Sequence, residues 1–197
     1  MKKRIKRAIR ISKYVVYKET LVDYHEHIWS FLGACVGIGL IGFIQSHMLT
    51  VNENIFLIGS FGASSVLVFG AIQSPLAQPR NLIGGHVVSA IVGVTIYQLL
   101  PEIIWLTAAL AVALSIVLMQ ITKTLHPPGG ATALIAVIGS EKIKSLGYLY
   151  VLSPVFTGCV ILLAVAMVFN IMTTSRHYPT NRKFTGSFKK LLSRKKN

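Results

Sequence analysis

Long apolar runs separated by short polar breaks constrain the fold of this chain more than any other feature. Five of these runs have, or nearly have, the ~20 residues that a helix needs to cross a bilayer core of roughly 30 Å. They cover residues 28–44, 55–72, 82–100, 103–119 and 146–172, and a sixth run at about 129–139 is shorter. Only 13% of the residues are charged, against about 25% in soluble domains. The sequence therefore predicts an all-α, polytopic membrane protein with about six transmembrane segments.

The charged residues are concentrated at the two ends of the chain. Lysine and arginine total 20 against 6 acidic residues, a net charge of +14, which by itself would suggest nucleic-acid binding. Eight of the basic residues, however, lie within 1–27 and eight more within 173–197. Positive segments beside apolar spans face the cytoplasm and attract anionic lipid headgroups. We expect a multi-pass protein of the cell membrane with both termini cytoplasmic, and nucleic acid is not an expected partner.

These features divide the chain into three regions. Residues 1–27 form a basic segment that is either an amphipathic helix on the membrane surface or a disordered tail. Residues 28–172 form the transmembrane domain, and 173–197 form a basic cytoplasmic tail. Termini on the same side require an even number of crossings. A rival model has four full spans, with the runs at 55–72 and about 129–139 as re-entrant hairpins. Because it leaves more basic residues outside, the charge rule favours six crossings.

One short passage breaks the apolar pattern most sharply, after the run 103–119 and at the start of the short run at about 129–139. Its residues are His126, Pro127, Pro128, Gly129, Gly130, Ala131 and Thr132. The two prolines must break a helix or begin one, and the two glycines allow the backbone to approach a neighbour closely. A polar break at membrane depth is costly unless it lines a cavity or packs against protein. The passage is either a simple interhelical loop or part of a functional site.

A second copy of this pattern begins at Phe61, which suggests an internal repeat. At an offset of 68 residues it pairs Gly62 with Gly130, Ala63 with Ala131, and Ser64 with Thr132. Each copy lies between two long apolar runs, so the chain divides into two units of three runs, 28–100 and 103–172. An odd number of crossings per unit predicts that the second unit is inverted relative to the first, a common transporter design.

Both copies resemble helix starts, whose free N–H groups and partial positive charge suit a small anion. Two such ends that met near the bilayer midplane would form an anion site without a buried lysine or arginine. The predicted substrate-binding residues are Gly62, Ala63, Ser64, Ser65, His126, Gly129, Gly130 and Thr132. Close helix packing requires the same small residues, and this alternative stays open.

Further residues are predicted to form an entrance or a structural motif. They are Gln78, Arg80, Asn81, His86, Pro127 and Pro128. His86 and His126 either couple a proton to anion movement or stay neutral and hydrogen-bond a loop. Arg80 either guards an anion entrance or anchors the chain at the cytoplasmic surface, and Asn81 is expected to cap the following helix.

Other kinds of chemistry lack support in the sequence. Cys35 and Cys159 each lie inside an apolar run without metal-ligand spacing, so neither a disulfide nor a metal site is expected. No cofactor motif, paired carboxylates or nucleophile–base arrangement occurs, and we do not expect an enzyme. One alternative, an intramembrane enzyme that uses His126, is kept open beside a membrane scaffold or sensor that acts through its basic tails.

The motifs around His126 and Arg80 resemble those of the HPP family, integral membrane proteins named for a His-Pro-Pro motif. The resemblance rests on residues 126–134, on Gln78-Pro79-Arg80-Asn81, and on Gly84-Gly85-His86 with Ser89-Ala90. The family is often described with four or five spans, so six departs from that description. Plant and cyanobacterial relatives are associated with nitrite transport. The resemblance therefore implies a transporter or channel for a small inorganic anion, with nitrite as the first candidate, and a homo-oligomer is compatible with it.

Overall fold

The computed structural model describes Lys6, residues 24–172 and residues 176–181. These residues form an all-α membrane protein without strands in the described part, and five of its helices are long and apolar enough to span a membrane. The helices are α1 (Tyr24–Ser46), α2 (Val51–Ser65), α3 (Pro79–Leu99), α4 (Ile104–Ile121), α5 (Pro127–Ile138), the short α6 (Glu141–Ser145) and α7 (Thr157–Ile171). The predicted N-terminal amphipathic segment and the C-terminal tail lie almost entirely outside the described residues.

Two wider π-helical turns lengthen the shorter apolar helices. Val66–Gly70 continues α2, and Val151–Phe156 leads into α7. With the first of these turns, the helical segment 52–70 has 19 residues. The segment 151–171 has 21 residues and is kinked at Ser153, whose backbone angles are not helical. Both are long enough to cross the apolar core. A 3₁₀ turn, Pro75–Ala77, lies between α2 and α3.

Hydrogen bonds between loops bring four helix ends to one face, here called the Arg80 face. Arg80 Nη2, at the start of α3, donates to the carbonyl oxygen of Thr122, just after α4 (2.7 Å). Arg176 Nε, a few residues after α7, lies 2.7 Å from Glu26 Oε2 at the start of α1. Tyr178 OH, two residues after Arg176, donates to the carbonyl oxygen of Ala77, just before α3 (2.8 Å). Both ends of the helical domain therefore lie at the same face, as an even number of crossings requires.

The opposite helix ends meet at a second face, here called the Glu53 face. Ser140 Oγ, after α5, donates to Glu53 Oε1 in the first turn of α2 (2.8 Å). The other carboxylate oxygen of Glu53 accepts a hydrogen bond from the Thr50 N–H (2.8 Å), which stabilises the start of that helix. Lys144 in α6 lies 4.0 Å from Glu102, between α3 and α4.

Two lysines that violate the charge rule lie at the Glu53 face, and both are paired with acids. Lys142 Nζ lies 3.8 Å from Glu53 Oε2, and Lys144 Nζ lies 3.1 Å from Glu141 Oε1. The hydrogen bond to Glu141 raises the pKa of Lys144. Because nearby acids compensate the charge of these lysines, their position at the Glu53 face does not argue strongly against six crossings.

The short α5 connects the two faces with the help of the residues before it. Its 12 residues have a length of about 18 Å. The three non-helical residues Thr124–His126 add up to about 10 Å when extended, so together they approach the ~30 Å apolar core. Leu125 contacts the start of α3, because its carbonyl oxygen accepts a hydrogen bond from Asn81 (2.8 Å). The short run therefore connects the two faces, and neither it nor the run at 55–72 forms a re-entrant hairpin in the described residues.

The arrangement of the helices is compatible with an inverted repeat of α1–α3 and α4, α5, α7. The two first helices, α1 and α4, are both peripheral, with only 17% and 22% of their apolar windows buried. They also run in opposite directions between the two faces. The superposition of residues 28–100 on 103–172 stays a prediction.

One part of the repeat prediction is wrong. Gly62, Ala63, Ser64 and Ser65 do not begin a helix but lie in the last part of α2, which starts at Val51. The helix starts earlier because Thr50 and Glu53 satisfy its first backbone groups. Small residues inside a membrane helix do not end it, since the helix satisfies its own backbone hydrogen bonds there.

Small residues on α3 allow α5 and the segment before it to pack against that helix. A Cβ atom on Gly93 would lie 2.5 Å from the carbonyl oxygen of Ala133, and one on Gly84 would lie 2.5 Å from Thr124 Cγ2. A Cβ on Gly129 would lie 2.9 Å from the carbonyl oxygen of Gly85. Gly129 of the His-Pro-Pro passage therefore serves close packing, which is the alternative role predicted for the small residues.

Candidate functional site

Two histidines and two hydroxyl groups form a buried polar cluster at the junction of three helices. Ser64 lies on α2, His86 on α3, His126 directly before α5, and Thr132 in the first half of α5. None of these residues is more than 1% exposed. His86 lies in the third turn of α3, about 10 Å along the axis from its first residue, so the cluster lies within the apolar part of the protein. Ionisable groups at this depth usually have a function.

The side chains are joined in one continuous chain of hydrogen bonds. His86 Nδ1 lies 2.7 Å from Thr132 Oγ1, and His86 Nε2 lies 2.8 Å from Ser64 Oγ. Ser64 Oγ lies 2.9 Å from His126 Nε2, and His126 Nδ1 lies 2.9 Å from the carbonyl oxygen of Leu76. Ser64 therefore bridges the two imidazole rings, whose centroids are 5.0 Å apart.

The carbonyl group at one end determines the direction of every bond in the chain. The carbonyl oxygen of Leu76 can only accept a hydrogen bond, so His126 Nδ1 carries a proton. In a neutral ring His126 Nε2 then has no proton, and it accepts a hydrogen bond from the hydroxyl of Ser64. Ser64 then accepts from His86 Nε2–H, which leaves His86 Nδ1 to accept from Thr132. All four bonds point from Thr132 towards Leu76, and every ring nitrogen is satisfied with both histidines neutral.

A competing contact does not change this assignment. Ser64 Oγ also lies 3.2 Å from the carbonyl oxygen of Ser60, one turn earlier in α2. A serine hydroxyl has a single proton, and giving it to Ser60 would leave His126 Nε2 facing only a lone pair. A buried acceptor without a donor is unfavourable, so the shorter bond to His126 takes the proton.

Neighbouring groups hold the cluster in position. Asn81 Nδ2 donates to the carbonyl oxygen of Leu125, next to His126 (2.8 Å). The structure therefore corrects the prediction that Asn81 caps α3, which instead begins at Pro79 after Gln78. Gly85 leaves the space that the side chain of His126 occupies. Tyr150 OH donates to the carbonyl oxygen of Thr132 from the opposite side (3.0 Å).

One buried hydroxyl next to the cluster has no partner in the described part of the chain. Ser65 is 4% exposed, and its Oγ makes no hydrogen bond there. It directly precedes the π-helical turn Val66–Gly70, and such turns frequently occur at functional sites. A buried donor without an acceptor indicates a place where a ligand or a water molecule would be stabilised.

The start of α5 offers fewer backbone donors than the sequence suggests. Pro127 and Pro128 occupy its first two positions and have no N–H group. The N–H of Gly129 donates to the carbonyl oxygen of His126 (2.8 Å). The donors available to an anion are therefore mainly side-chain hydroxyl and imidazole groups, rather than the two helix ends that the sequence suggested.

The other predicted binding residues lie near the cluster but not in its hydrogen bonds. Gly62 is half-buried, with open space where a Cβ would be, and Ala63 is exposed. Gly130 is half-buried, and a Cβ added to it would meet only Val112, at 3.8 Å. Ser64 and Thr132, the third pair of the proposed repeat, both hydrogen-bond His86, at opposite nitrogens of its ring.

The predicted entrance residues lie at the Arg80 face. Arg80 is exposed, and its Nη2 is held by the carbonyl oxygen of Thr122. Gln78 Nε2 donates to the carbonyl oxygens of Ile72 and Ser74 (3.1 and 2.9 Å), so it holds the loop between α2 and α3. This is the loop that presents Leu76 to His126.

A second buried network was missed in the sequence. Arg176 is 2% exposed and donates to the side chains of Glu26, Ser30 and Asn170 at 2.7–3.0 Å. Asn170 Nδ2 in turn donates to the carbonyl oxygen of Val68, in the π-helical turn (3.0 Å). The sequence predicts that Arg176 belongs to the basic tail, because nothing local distinguishes it from its basic neighbours. The only available signal was Asn170, a polar residue in an apolar run.

The described residues provide no metal centre, since they contain no group of three His, Cys, Asp or Glu side chains that could hold a metal ion. Cys35 is exposed and Cys159 is buried, and neither forms a disulfide.

Comparisons with known proteins identify the relatives of the chain. The model of the HPP transmembrane region matches residues 19–179. Two transmembrane proteins of Dictyostelium discoideum are 46% and 44% identical over 160 residues, which is 80% of this chain. The match covers 51% and 56% of those proteins, so the chain spans about half the length of the curated relatives it matches. No solved structure matches the chain.

Proposed function

Because the chain belongs to the HPP transmembrane family, we propose that it transports a small inorganic anion, with nitrite the first candidate. The observation that carries this proposal is the buried chain of hydrogen bonds from Thr132 through His86 and Ser64 to His126. Its residues come from both halves of the proposed inverted repeat. Transporters built from inverted repeats bind their substrates at such junctions, near the bilayer midplane.

In this proposal the observed arrangement, in which the polar groups satisfy one another, is the closed state. Separation of α2 from α5 would release the hydroxyl of Ser64 from His126 and expose the Nε2–H of His86. An anion that entered would accept hydrogen bonds from these donors and from the unpartnered hydroxyl of Ser65. No lysine or arginine of the described residues belongs to the cluster, so the anion would be bound without a fixed countercharge and could be released.

His126 provides a way to couple a proton to the anion. Its Nε2 accepts a hydrogen bond from Ser64 in the closed state, and the same nitrogen becomes free to bind a proton when that hydrogen bond opens. A proton on His126 would stabilise the anion electrostatically while the site is closed to water. The carboxylates of the described residues lie towards the two faces, so the anion itself would be the countercharge.

Flux into liposomes tests this function. Purified protein should take up nitrite faster than protein-free liposomes, and a Thr132→Val variant should weaken binding by roughly 0.5–3 kcal/mol, because it keeps the shape of the side chain and removes one hydroxyl. Thr107→Val is the matched control, since Thr107 is also buried but bonds only to carbonyl oxygens of its own helix region. Absence of flux for nitrite and for other small anions would contradict the proposal.

The orientation of the protein gives a second prediction. Cysteines introduced at Ser12 and Ser187, in a background without Cys35 and Cys159, should resist an impermeant thiol reagent in intact cells and react after lysis. The reason is that both basic ends leave the helical domain at the Arg80 face, and positive segments stay in the cytoplasm. Labelling of either position from outside would contradict a cytoplasmic location.

A further inference from the structure

A cavity opens at the Arg80 face between α3, α7 and the segment that follows α7. Its volume is about 340 Å³. Its walls include Leu163 and Met167 of α7, and Arg80 and Thr180 lie among its polar residues. It is separate from the buried cluster, since none of the four cluster residues lines it.

The cavity changes from polar to apolar along its depth. Arg80 and Thr180 are exposed at the face. Met167 and Leu163 lie four and eight residues before Ile171, the last residue of α7, which places them about 6 and 12 Å below that end. Such a gradient matches a molecule with a polar head and an apolar chain.

The charge at the mouth of the cavity is positive. Arg80 uses Nη2 on the carbonyl oxygen of Thr122 and forms no ion pair with a carboxylate in the described ranges. Glu26, an acid at this face, is paired with Arg176. An occupant with a net negative head is therefore favoured, because the described residues that line the cavity include Arg80 and no carboxylate.

The same charge argues against occupation by the chain's own tail. Residues 182–197 follow directly after Asn181, which also lines the cavity, and they carry seven lysine and arginine residues. These would be repelled by Arg80 and would strengthen the attraction of an anionic group.

We propose that this cavity binds one anionic phospholipid, with its phosphate on the guanidinium group of Arg80 and an acyl chain along Leu163 and Met167. The guanidinium group suits a phosphate because its N–H groups can bind two oxygens at once. The apolar wall would hold the acyl chain of the bound lipid apart from the lipids of the surrounding bilayer. This proposal does not depend on the transport function proposed above.

Native mass spectrometry of the full chain in detergent tests the site. Dioctanoyl phosphatidylglycerol should bind at one copy per chain and at least about tenfold more tightly than dioctanoyl phosphatidylcholine. Arg80→Gln keeps a donor for Thr122 but removes the charge, so it should abolish this preference. Leu163→Trp should fill the cavity and weaken the binding of both lipids. Lys123→Gln, a cation at the same face that does not line the cavity, should keep the preference.

Several outcomes would overturn the proposal. Equal binding of the two lipids to the wild-type protein would do so, as would an Arg80→Gln variant that keeps the preference. Competition by glycerol 1-phosphate at the same concentration as the lipid would assign the site to a soluble phosphate instead. A lipid-free dimer whose formation Leu163→Trp prevents would assign the surface to a second copy of the chain. Elution of each variant at the wild-type volume on size exclusion controls for folding.

Discussion

Replacing Ser64 with alanine should have the largest effect on function of any single substitution in the polar cluster. The hydroxyl bridges His86 and His126 at 2.8 and 2.9 Å. Its removal leaves a buried N–H donor on one ring and a buried acceptor on the other without partners, at about 1–3 kcal/mol for each group. We expect a lower melting temperature in detergent and loss of anion flux in liposomes.

Ser115→Ala is the matched control for this substitution. Ser115 is also fully buried, but its hydroxyl donates only to the carbonyl oxygen of Val112 in its own helix (2.8 Å). The control should keep both stability and flux near wild type. Nitrogen NMR of labelled histidine provides an independent readout, with the proton expected on Nδ1 of His126 and on Nε2 of His86. Equal behaviour of the two serine variants would contradict the assigned role of Ser64.

Replacing Gly93 with alanine should have the largest effect on stability among the glycines of α3. The added Cβ would lie 2.5 Å from the carbonyl oxygen of Ala133 and 2.9 Å from its Cα. These are backbone atoms of α5 and cannot rotate away, so α3 and α5 must separate. Strain of this kind typically costs about 1–3 kcal/mol. The melting temperature of the purified protein should fall, and the displacement of α5 should also weaken the contact between Thr132 and His86.

The same substitution at Gly59 should not lower the stability of the protein. Gly59 lies in α2, is exposed, and has no atom within 4 Å of an added Cβ. Alanine there should leave stability unchanged or raise it by about 0.5–1 kcal/mol, because glycine weakens a helix interior. Similar losses in both variants would show that the contact between Gly93 and Ala133 does not limit the packing of α3 on α5.

The crossings could be predicted because they depend on features that are local in the sequence. Run length and the position of charge are sufficient to locate spans when every backbone group must be satisfied inside a helix. The pairing of Ser64 with Thr132 by offset also selected two residues that both hydrogen-bond His86, on either side of its ring. The repeat that suggested this pairing stays a prediction.

The details of the site depend on contacts between distant residues and could not be predicted in the same way. The small residues after Phe61 look like a helix start, but Thr50 and Glu53 place that start eleven residues before Gly62. Asparagine is a residue type that often caps helices, and only the fold shows that the partner of Asn81 is Leu125, 44 residues away. Arg176 is likewise buried only because Glu26 lies opposite it.

The non-helical residues before α5 have a consequence for the order in which the protein is assembled. A nascent segment enters the bilayer easily when its backbone is fully hydrogen-bonded within the segment, and Thr124–His126 is not helical. The carbonyl oxygens of Thr122 and Leu125 are satisfied by Arg80 and Asn81, at the start of α3. Since α3 is synthesised first, it can be in place to receive α5 during biogenesis. Chains in which α3 is delayed or displaced should leave this segment outside the membrane.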